Sequence, residues 1–238
     1  MQNVLVRKGN IFSSRCQTIV NTVNCVGIMG AGIALECRLR YPLMFDQYAK
    51  LCADAKLDIG QLWIYRAPER WVLNFPTKKH WRYPSKVEYL HLGLQKFMQT
   101  YEARGISSVA FPLLGAHNGG LSPDTSRTLM LDYLGQCSIP VEIYEHDPAS
   151  PDDLFDAFKE AFVQLSDADI AQQSGLRADA VRRIREALND QQLCQLGQLA
   201  QVPGIGDKTL ERCFAFITHR ADPAHPAGAA GPQSALEF

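Results

Sequence analysis

The chain has no long apolar run and almost no net charge. A membrane-spanning helix needs about 20 consecutive apolar residues, and no stretch of these 238 residues approaches that length. Lysine and arginine total 24 against 25 aspartates and glutamates, a formal net charge of −1. Overall basicity therefore does not point to nucleic acid, and any such binding must come from a local feature.

The cysteines lack the pattern of a disulfide framework or a zinc site. There are seven, an odd number, scattered along the chain without a C-x-x-C pair. The N-terminus also lacks the apolar core of a signal peptide. We therefore expect reduced thiols, no metal and a cytoplasmic protein.

Glycines are concentrated in "NTVNCVGIMGAGIALECRLRYP", residues 21–42. The spacing over 27–32 is G-x-x-G-x-G, not the G-x-G-x-x-G of dinucleotide-binding folds. The acidic residue expected about twenty positions later is Asp46, which lies inside a helical pattern. A Rossmann-type fold is thus disfavoured. Two interpretations of the glycines remain: a phosphate-binding turn and a plain tight turn. Asn21 and Asn24 just before the glycines favour the phosphate-binding turn.

Short apolar runs alternate with helical patterns as far as residue 146, which predicts an α/β fold with a mixed, mostly parallel sheet between helices. Loops 24–32, 76–82 and 115–122 each follow a strand, and we expect them to meet at one edge of the sheet. From Leu154 to Arg220 only helical patterns occur. The predicted organisation is a domain over 1–150, a small all-helical domain over 151–221 and a disordered tail over 222–238.

Three segments carry a family resemblance: "GNIFSSRCQTIVNTVNCVGIMGAGIALECRLRYP", "NFPTKKHWRYPS" and "FPLLGAHNGGL". In this order they resemble the macrodomain of DarG-type DNA ADP-ribosyl glycohydrolases, relatives of the terminal ADP-ribose protein glycohydrolase. Those antitoxins remove ADP-ribose from thymidine in DNA and so reverse the DarT toxin. The resemblance implies a macrodomain over 1–150, with ADP-ribosylated DNA and a DarT-like toxin as partners and no cofactor besides the ADP-ribose itself.

The resemblance also implies which residues hold ADP-ribose. They are Gly9, Asn10, Ile11, Asn24, Gly27, Met29, Gly30, Ala31, Gly32, Thr77, Gly115, Ala116, His117, Asn118, Gly119, Gly120 and Leu121. Glycine suits this task because its backbone N–H groups can approach phosphate oxygens closely.

Lys78 is the catalytic residue that the resemblance implies, whereas Lys79 is expected to be a solvated loop lysine. The protein-directed relative carries an aspartate in the second glycine-rich loop, but here none precedes Asp124. His117 is the titratable residue of that loop and a second catalytic candidate. The missing aspartate favours Lys78 as proton donor or electrostatic stabiliser over a covalent mechanism.

DNA contacts are predicted at two places. Trp81 is a candidate for stacking on a base and Arg82 for a phosphate contact, with a core tryptophan and a surface arginine as the alternative. "VPGIGDKTLERC" resembles a helix-hairpin-helix motif, whose turn binds a DNA phosphate through backbone N–H groups. Its candidate contacts are Gly204, Gly206, Lys208 and Arg212. "QSGLRADAVRRI" resembles a degenerate copy, and a helical protein-binding module is the alternative.

The function expected from these features is a hydrolase that removes ADP-ribose from DNA, with thymidine as the modified base. Two alternatives stay open. One is hydrolysis of ADP-ribose from protein or of O-acetyl-ADP-ribose. The other is a non-catalytic ADP-ribose reader.

Overall fold

The structure is a computed structural model that describes residues 3–221. The described chain divides into two compact units, the first ending at His146 and the second beginning at Asp147. The tail predicted over 222–238 lies outside the described residues. Among the helices described, none is both long and apolar enough to span a membrane.

The first unit is built on a six-stranded sheet in the order β1-β6-β5-β2-β4-β3. The strands are β1 (Val4–Gly9), β2 (Thr18–Asn24), β3 (Trp63–Arg66), β4 (Trp71–Lys78), β5 (Val109–Pro112) and β6 (Val141–His146). Only β3 runs antiparallel to its neighbour β4, and the other four pairings are parallel. The predicted mixed, mostly parallel sheet is confirmed.

Helices cover both faces of this sheet. They are α1 (Gly32–Arg40), α2 (Pro42–Ala53), α3 (Val87–Thr100) and α4 (Pro123–Leu134). Successive strand residues point to opposite faces, so Leu73 and Phe75 of β4 join the core under α3 and α4. Val72, the residue before Leu73, points to the opposite face and joins the core under α1 and α2. Strand β4 is therefore packed into the core on both of its faces.

Helix α3 approaches β4 unusually closely at Gly93. A Cβ atom there would lie 2.2 Å from the ring of Phe75, which is fully buried. A mid-helix glycine ordinarily destabilises a helix by about 1 kcal/mol relative to alanine, so the close packing explains why one is present. The amphipathic pattern of residues 85–104 predicts a helix as far as Arg104, but α3 ends at Thr100. Turns follow, because Gly105 takes φ +75° and Ile106 N–H bonds to the Tyr101 carbonyl at 3.0 Å.

The second unit is helical throughout its described length. It contains α5 (Phe155–Gln164), α6 (Asp167–Ser174), α7 (Ala178–Ala187), a short 3-10 helix (Leu196–Gln201) and α8 (Asp207–Ala221). Phe158, Phe162 and Phe216 pack ring against ring at its centre, with centroids 4.7–6.3 Å apart. These three aromatics give the unit a hydrophobic core of its own.

Two helix pairs within this unit repeat each other. The first is α6, a turn at Gly175, and α7; the second is the 3-10 helix, a turn at Gly204, and α8. Both glycines have positive φ, +68° and +83°. The residues that follow at matching positions are buried in both copies: Leu176 and Ile205, Val181 and Leu210, Ile184 and Cys213. The two segments that the sequence indicates as copies are therefore alike in their turn glycines and buried positions.

Candidate functional site

Three loops meet where neighbouring parallel strands end. The strands are β5, β2 and β4, which lie side by side in the sheet. The Cys25 N–H donates to the Lys79 carbonyl at 3.3 Å, joining the loops after β2 and β4. The Lys78 ammonium donates to the Asn118 carbonyl. A Cβ atom on Gly32 would lie 2.9 Å from Asn118 Nδ2. The predicted meeting of the three loops is confirmed.

Lys78 and Lys79 are neighbours with different environments. Lys78 is half-buried at the end of β4, and burial lowers the pKa of its ammonium. Lys79 is exposed and forms an ion pair with Asp58, whose hydrogen bond raises the pKa of Lys79. The shift on Lys78 is the kind that suits a lysine for acid–base or electrostatic work at a reaction centre. Lys79 has the surface role expected of it.

A cysteine also reaches this junction. Cys25 Sγ donates to the Lys78 carbonyl at 3.3 Å. Burial raises the pKa of the Cys25 thiol to about 12. A thiol that stays protonated at neutral pH is a poor nucleophile, so Cys25 supports the backbone of Lys78 and does not compete with it.

Asn24 shapes the first glycine loop (residues 24–32) through hydrogen bonds to the loop itself. Its Oδ1 accepts from the N–H groups of Val26 at 3.0 Å and Ile28 at 3.3 Å, and its Nδ2 donates to the Ile28 carbonyl at 2.6 Å. The buried Tyr48 hydroxyl donates to the Asn24 carbonyl at 2.8 Å. The amide of Asn24 therefore holds the loop in place. Tyr48, on α2, is a supporting residue that the sequence pattern does not reveal.

The end of the first glycine loop presents backbone donors. Gly32 begins α1 with φ +56°, and Ala31 at the N-cap makes no side-chain capping bond. Within residues 3–221 the N–H groups of Gly30, Ala31 and Gly32 have no hydrogen-bond acceptor. Unpaired N–H groups and the positive end of the helix dipole together favour an anion. Met29 beside them is fully buried and anchors the loop in the core.

The second glycine loop (residues 115–121) is folded on itself. Gly119 N–H bonds to the Ala116 carbonyl at 2.9 Å, and Leu121 N–H to the Gly115 carbonyl at 3.0 Å. Gly115 and Gly120 have φ of +67° and +79°, values that side chains rarely tolerate. The loop thereby exposes Asn118 and His117 at its tip.

Ser85 supports the second glycine loop from below. Its N–H donates to the Gly119 carbonyl at 2.9 Å. A Cβ atom on Gly119 would lie 2.6 Å from Ser85 Oγ, and one on Gly115 would lie 3.1 Å from Ser85 Cβ. Ser85 belongs to the same segment as Lys78, but no sequence signal pairs it with this loop. Its contact explains the need for glycine at 119.

His117 and Asn118 face different sides of the tip. The His117 ring packs edge-on against His146, with ring centroids 6.3 Å apart, at the end of β6. Asn118 contacts Lys78 and Gly32 on the β4 side. His117 has φ +49°, a backbone region in which histidine is better tolerated than most side chains. The structure therefore pairs Lys78 with Asn118 and directs His117 the other way.

The segment predicted for the adenine end lies at the far side of the same edge. Gly9 ends β1 beside His146 of β6. Asn10 and Ile11 are buried, and Asn10 Oδ1 accepts from Phe12 N–H at 2.9 Å. Four strand spacings of about 4.8 Å each separate β1 from β4, or about 19 Å. Thr77 is buried just before Lys78. The predicted ADP-ribose residues thus line one elongated edge.

The candidates beyond Lys78 lie on an exposed turn. Trp81 is 47% exposed, so the alternative of a core tryptophan is wrong. The Arg82 guanidinium lies over the Trp81 ring at 4.7 Å from its centroid. Both side chains are accessible from solvent directly after the strand that carries Lys78.

In the second unit two arginines link the repeated hairpins reciprocally. Arg212 of α8 donates to the Gly175 carbonyl at 2.6 Å, and Arg183 of α7 donates to the Gly204 carbonyl at 3.2 Å. Each arginine is the sixth residue of its helix, so the contacts are equivalent. The sequence predicts that Arg212 contacts DNA. In the structure its Nη1 joins the two hairpins. Lys208 is exposed at the start of α8.

The glycines of the second turn have different surroundings. A Cβ atom on Gly204 would lie 2.4 Å from Arg183 Nη1, and φ there is +83°. A Cβ atom on Gly206 would meet no atom within 4 Å, and its φ is not positive. The fold therefore requires glycine at 204 but not at 206.

Metal ligands do not cluster in the part of the chain that the structure describes. No group of three or more histidine, cysteine or acidic side chains is placed to hold an ion there. All seven cysteines are free thiols. The site offers backbone N–H groups and one half-buried ammonium.

Residues 20–130 match the family model for the Macro domain. The six-stranded sheet, the glycine loops and this match agree, and the chain belongs to the macrodomain family. Its first unit is similar to the macrodomain of Mycobacterium tuberculosis DarG, at 37% identity and a TM-score of 0.58, over 59% of this chain and 96% of that structure. A structure of Thermosipho africanus DarTG in complex with ADP-ribose is 33% identical with a TM-score of 0.59, over 62% of this chain and 42% of that one.

Among curated relatives, the DNA ADP-ribosyl glycohydrolase of Thermus aquaticus is 37% identical over 143 residues. That alignment covers 58% of this chain and 40% of the relative. The chain thus spans about two fifths of that relative's length.

Proposed function

We propose that this protein hydrolyses the bond between ADP-ribose and a base of DNA, with thymidine as the modified nucleoside. The observation that carries the proposal is the junction of two glycine loops with Lys78 between them. The first glycine loop offers backbone donors for a diphosphate, the second closes the other side, and Lys78 supplies a single ammonium between them. Relatives with the same macrodomain are named DNA ADP-ribosyl glycohydrolases, and a related structure holds ADP-ribose.

Cleavage at C1″ of the distal ribose develops positive charge on the sugar and negative charge on the departing base. An ammonium at the base side can donate a proton or stabilise that negative charge. The burial that lowers the pKa of Lys78 makes its proton easier to transfer. Asp124, the first carboxylate after the second glycine loop, is in an ion pair with Arg127 at 2.7 Å. This supports Lys78 as acid or electrostatic stabiliser in place of a lysine–aspartate pair.

We further propose that the second unit holds DNA through the turn at Gly204–Gly206. Gly206 has open space and an ordinary φ, so the fold does not explain a glycine there. Close approach of a ligand to the backbone does explain it, and Lys208 at the first turn of α8 adds positive charge. The repeated turn at Gly175 provides a second, related contact.

We also propose a biological setting, which the same relatives support. One of them is a DNA ADP-ribosyl transferase–DNA ADP-ribosyl glycohydrolase fusion protein, which supports a DarT-like transferase as the partner whose modification this enzyme reverses. The free thiols suit a reducing compartment, so we place the activity in the cytoplasm.

The direct test offers purified protein a single-stranded oligonucleotide that carries ADP-ribose on one thymidine. We expect release of ADP-ribose, and we expect Lys78→Ala to abolish release while calorimetry still detects ADP-ribose binding. Lys79→Ala is the matched control and should keep full activity. ADP-ribosylated protein and O-acetyl-ADP-ribose are offered in parallel. Faster turnover of either one, or binding without any turnover, would contradict the proposal.

A separate test addresses the second unit. Gly206→Ala should weaken binding to unmodified DNA while leaving the unfolding midpoint unchanged. Val163→Ala, on an exposed residue of the same unit, is the control and should change neither. Unchanged DNA affinity in Gly206→Ala would remove this turn from the DNA-binding surface.

A further inference from the structure

The turn that follows Lys78 is an ordered cluster of aromatic side chains. Its residues are His80, Trp81, Arg82 and Tyr83, here called the 80–83 turn. The Tyr83 N–H donates to the His80 carbonyl at 3.1 Å, and the Arg82 N–H donates to His80 Nδ1 at 3.2 Å. The His80 ring stacks on Trp81 with centroids 5.6 Å apart and lies 5.5 Å from Tyr83. The turn is therefore held in one conformation by its own contacts.

The two large rings of this turn are unusually open to solvent. Trp81 is 47% exposed and Tyr83 66%. The rings do not serve the hydrophobic core, so the fold provides no reason for two exposed aromatics separated by a single residue. An exposed apolar group of this kind commonly marks an interaction site.

The rings differ in what already covers them. The Trp81 indole is contacted by the His80 ring and by the Arg82 guanidinium, which lies 4.7 Å from its centroid. Tyr83 has a tilted contact with His80, at 49°, and the greater exposure. The Tyr83 ring is thus the one with a face free to stack, while Trp81 holds Arg82 in position.

The charge of this segment favours a polyanion. From Pro76 to Val87 the sequence has no aspartate or glutamate and has Lys78, Lys79, Arg82 and Lys86. Lys79 pairs with Asp58. The Arg82 guanidinium lies over the Trp81 ring. The N–H groups at the edge of the planar guanidinium remain able to bind a phosphate.

The position of the turn is as informative as its composition. Trp81 follows Lys78 by three residues, so their Cα atoms are at most about 11 Å apart. When the bond between ADP-ribose and the modified base lies at Lys78, the DNA strand that carries this base must continue past the site. The nucleotides beside the modified one then run over or close to the 80–83 turn.

We propose that the 80–83 turn is a platform for the nucleotides next to the ADP-ribosylated base in single-stranded DNA. Tyr83 stacks on a neighbouring base, and Arg82, supported by Trp81, contacts a phosphate. Stacking of this kind needs an unpaired base and does not depend on its identity. The inference rests on the proposed function, and it adds that the enzyme distinguishes a DNA strand from an isolated modified nucleotide.

The test compares two substrates with the full-length protein. One is thymidine monophosphate carrying ADP-ribose on its base, and the other is a single-stranded oligonucleotide of about ten residues with the same modification at its centre. We expect kcat/KM to be higher for the oligonucleotide. Tyr83→Ala should lower the ratio of the two values by about 5- to 150-fold, since a stacked base contributes about 1–3 kcal/mol. Tyr83→Phe should keep the ratio, because stacking needs only the ring.

Two controls make the result specific. Leu92→Ala removes an exposed apolar side chain on α3 and should leave the ratio unchanged. Hybridising complementary strands to the nucleotides on either side of the modified one should remove the preference for the oligonucleotide. A ratio that is unchanged in Tyr83→Ala overturns the platform while the proposed function stands. If the wild-type protein hydrolyses neither substrate, the proposed function fails and the platform fails with it.

Discussion

Replacing Gly119 by alanine should damage the site through Ser85 alone. The new Cβ would lie 2.6 Å from Ser85 Oγ and 3.2 Å from Ser85 Cβ, whereas ordinary contacts are 3.4–4 Å. Gly119 has no positive φ, so alanine brings no backbone strain and the clash is the whole effect. Overpacking of this kind costs about 1–3 kcal/mol, and we expect a loss of that size in urea unfolding.

The clash should also reach Lys78. Relief of the shortest contact needs a movement of about 1 Å, and Asn118, whose carbonyl accepts from Lys78, is the preceding residue. A displacement of about 1 Å at a reaction centre can lower turnover about 100-fold. We therefore expect Gly119→Ala to reduce kcat more than it reduces the affinity for ADP-ribose.

Ser85→Ala provides the decisive comparison. Ser85 Oγ is buried without a hydrogen-bond partner among the described residues, so its removal should be nearly neutral for stability. In the double variant the shortest contact is gone, and the combined loss should be smaller than the sum of the single losses by at least about 0.5 kcal/mol. Gly30→Ala, whose Cβ would meet its nearest neighbour at 3.7 Å, is the stability control. Strictly additive effects of the two substitutions would refute the reasoning.

Two further predictions follow from the charges. Burial lowers the pKa of Lys78 below the 10.5 of an ordinary lysine, so an active ammonium should be lost, and kcat should fall, as the pH rises through that lowered pKa. Lys78→Arg stays charged and should abolish this fall; a kcat that rises with pH would instead indicate a neutral amine acting as nucleophile. In the second unit, Arg183→Ala and Arg212→Ala should each lower the free energy of unfolding by about 1 kcal/mol, because each removes the guanidinium that donates to one glycine carbonyl. Loss of DNA affinity in Arg212→Ala at unchanged stability would favour the direct DNA contact that the sequence predicts.

The architecture of the first unit can be predicted from the sequence pattern alone. Alternating apolar runs and helical patterns predict the mixed sheet, because side-chain periodicity follows from backbone geometry. The glycine spacing and the segments around Lys78 and Gly115–Gly120 indicate the family. The sequence also indicates the edge at which the loops meet, because parallel strands present their carboxyl ends together.

The contacts of the individual residues at that edge emerge only from the folded chain. It separates Lys78 from Lys79 by burial and ion pairing, turns His117 toward His146, and uses Asn24 to hold its own loop. It places Ser85 against Gly119 and directs Arg212 onto the Gly175 carbonyl. These contacts join positions far apart in the chain, and their strength depends on distances of a few tenths of an ångström. Periodicity and motif spacing carry information about neighbours along the chain, so they cannot specify such contacts.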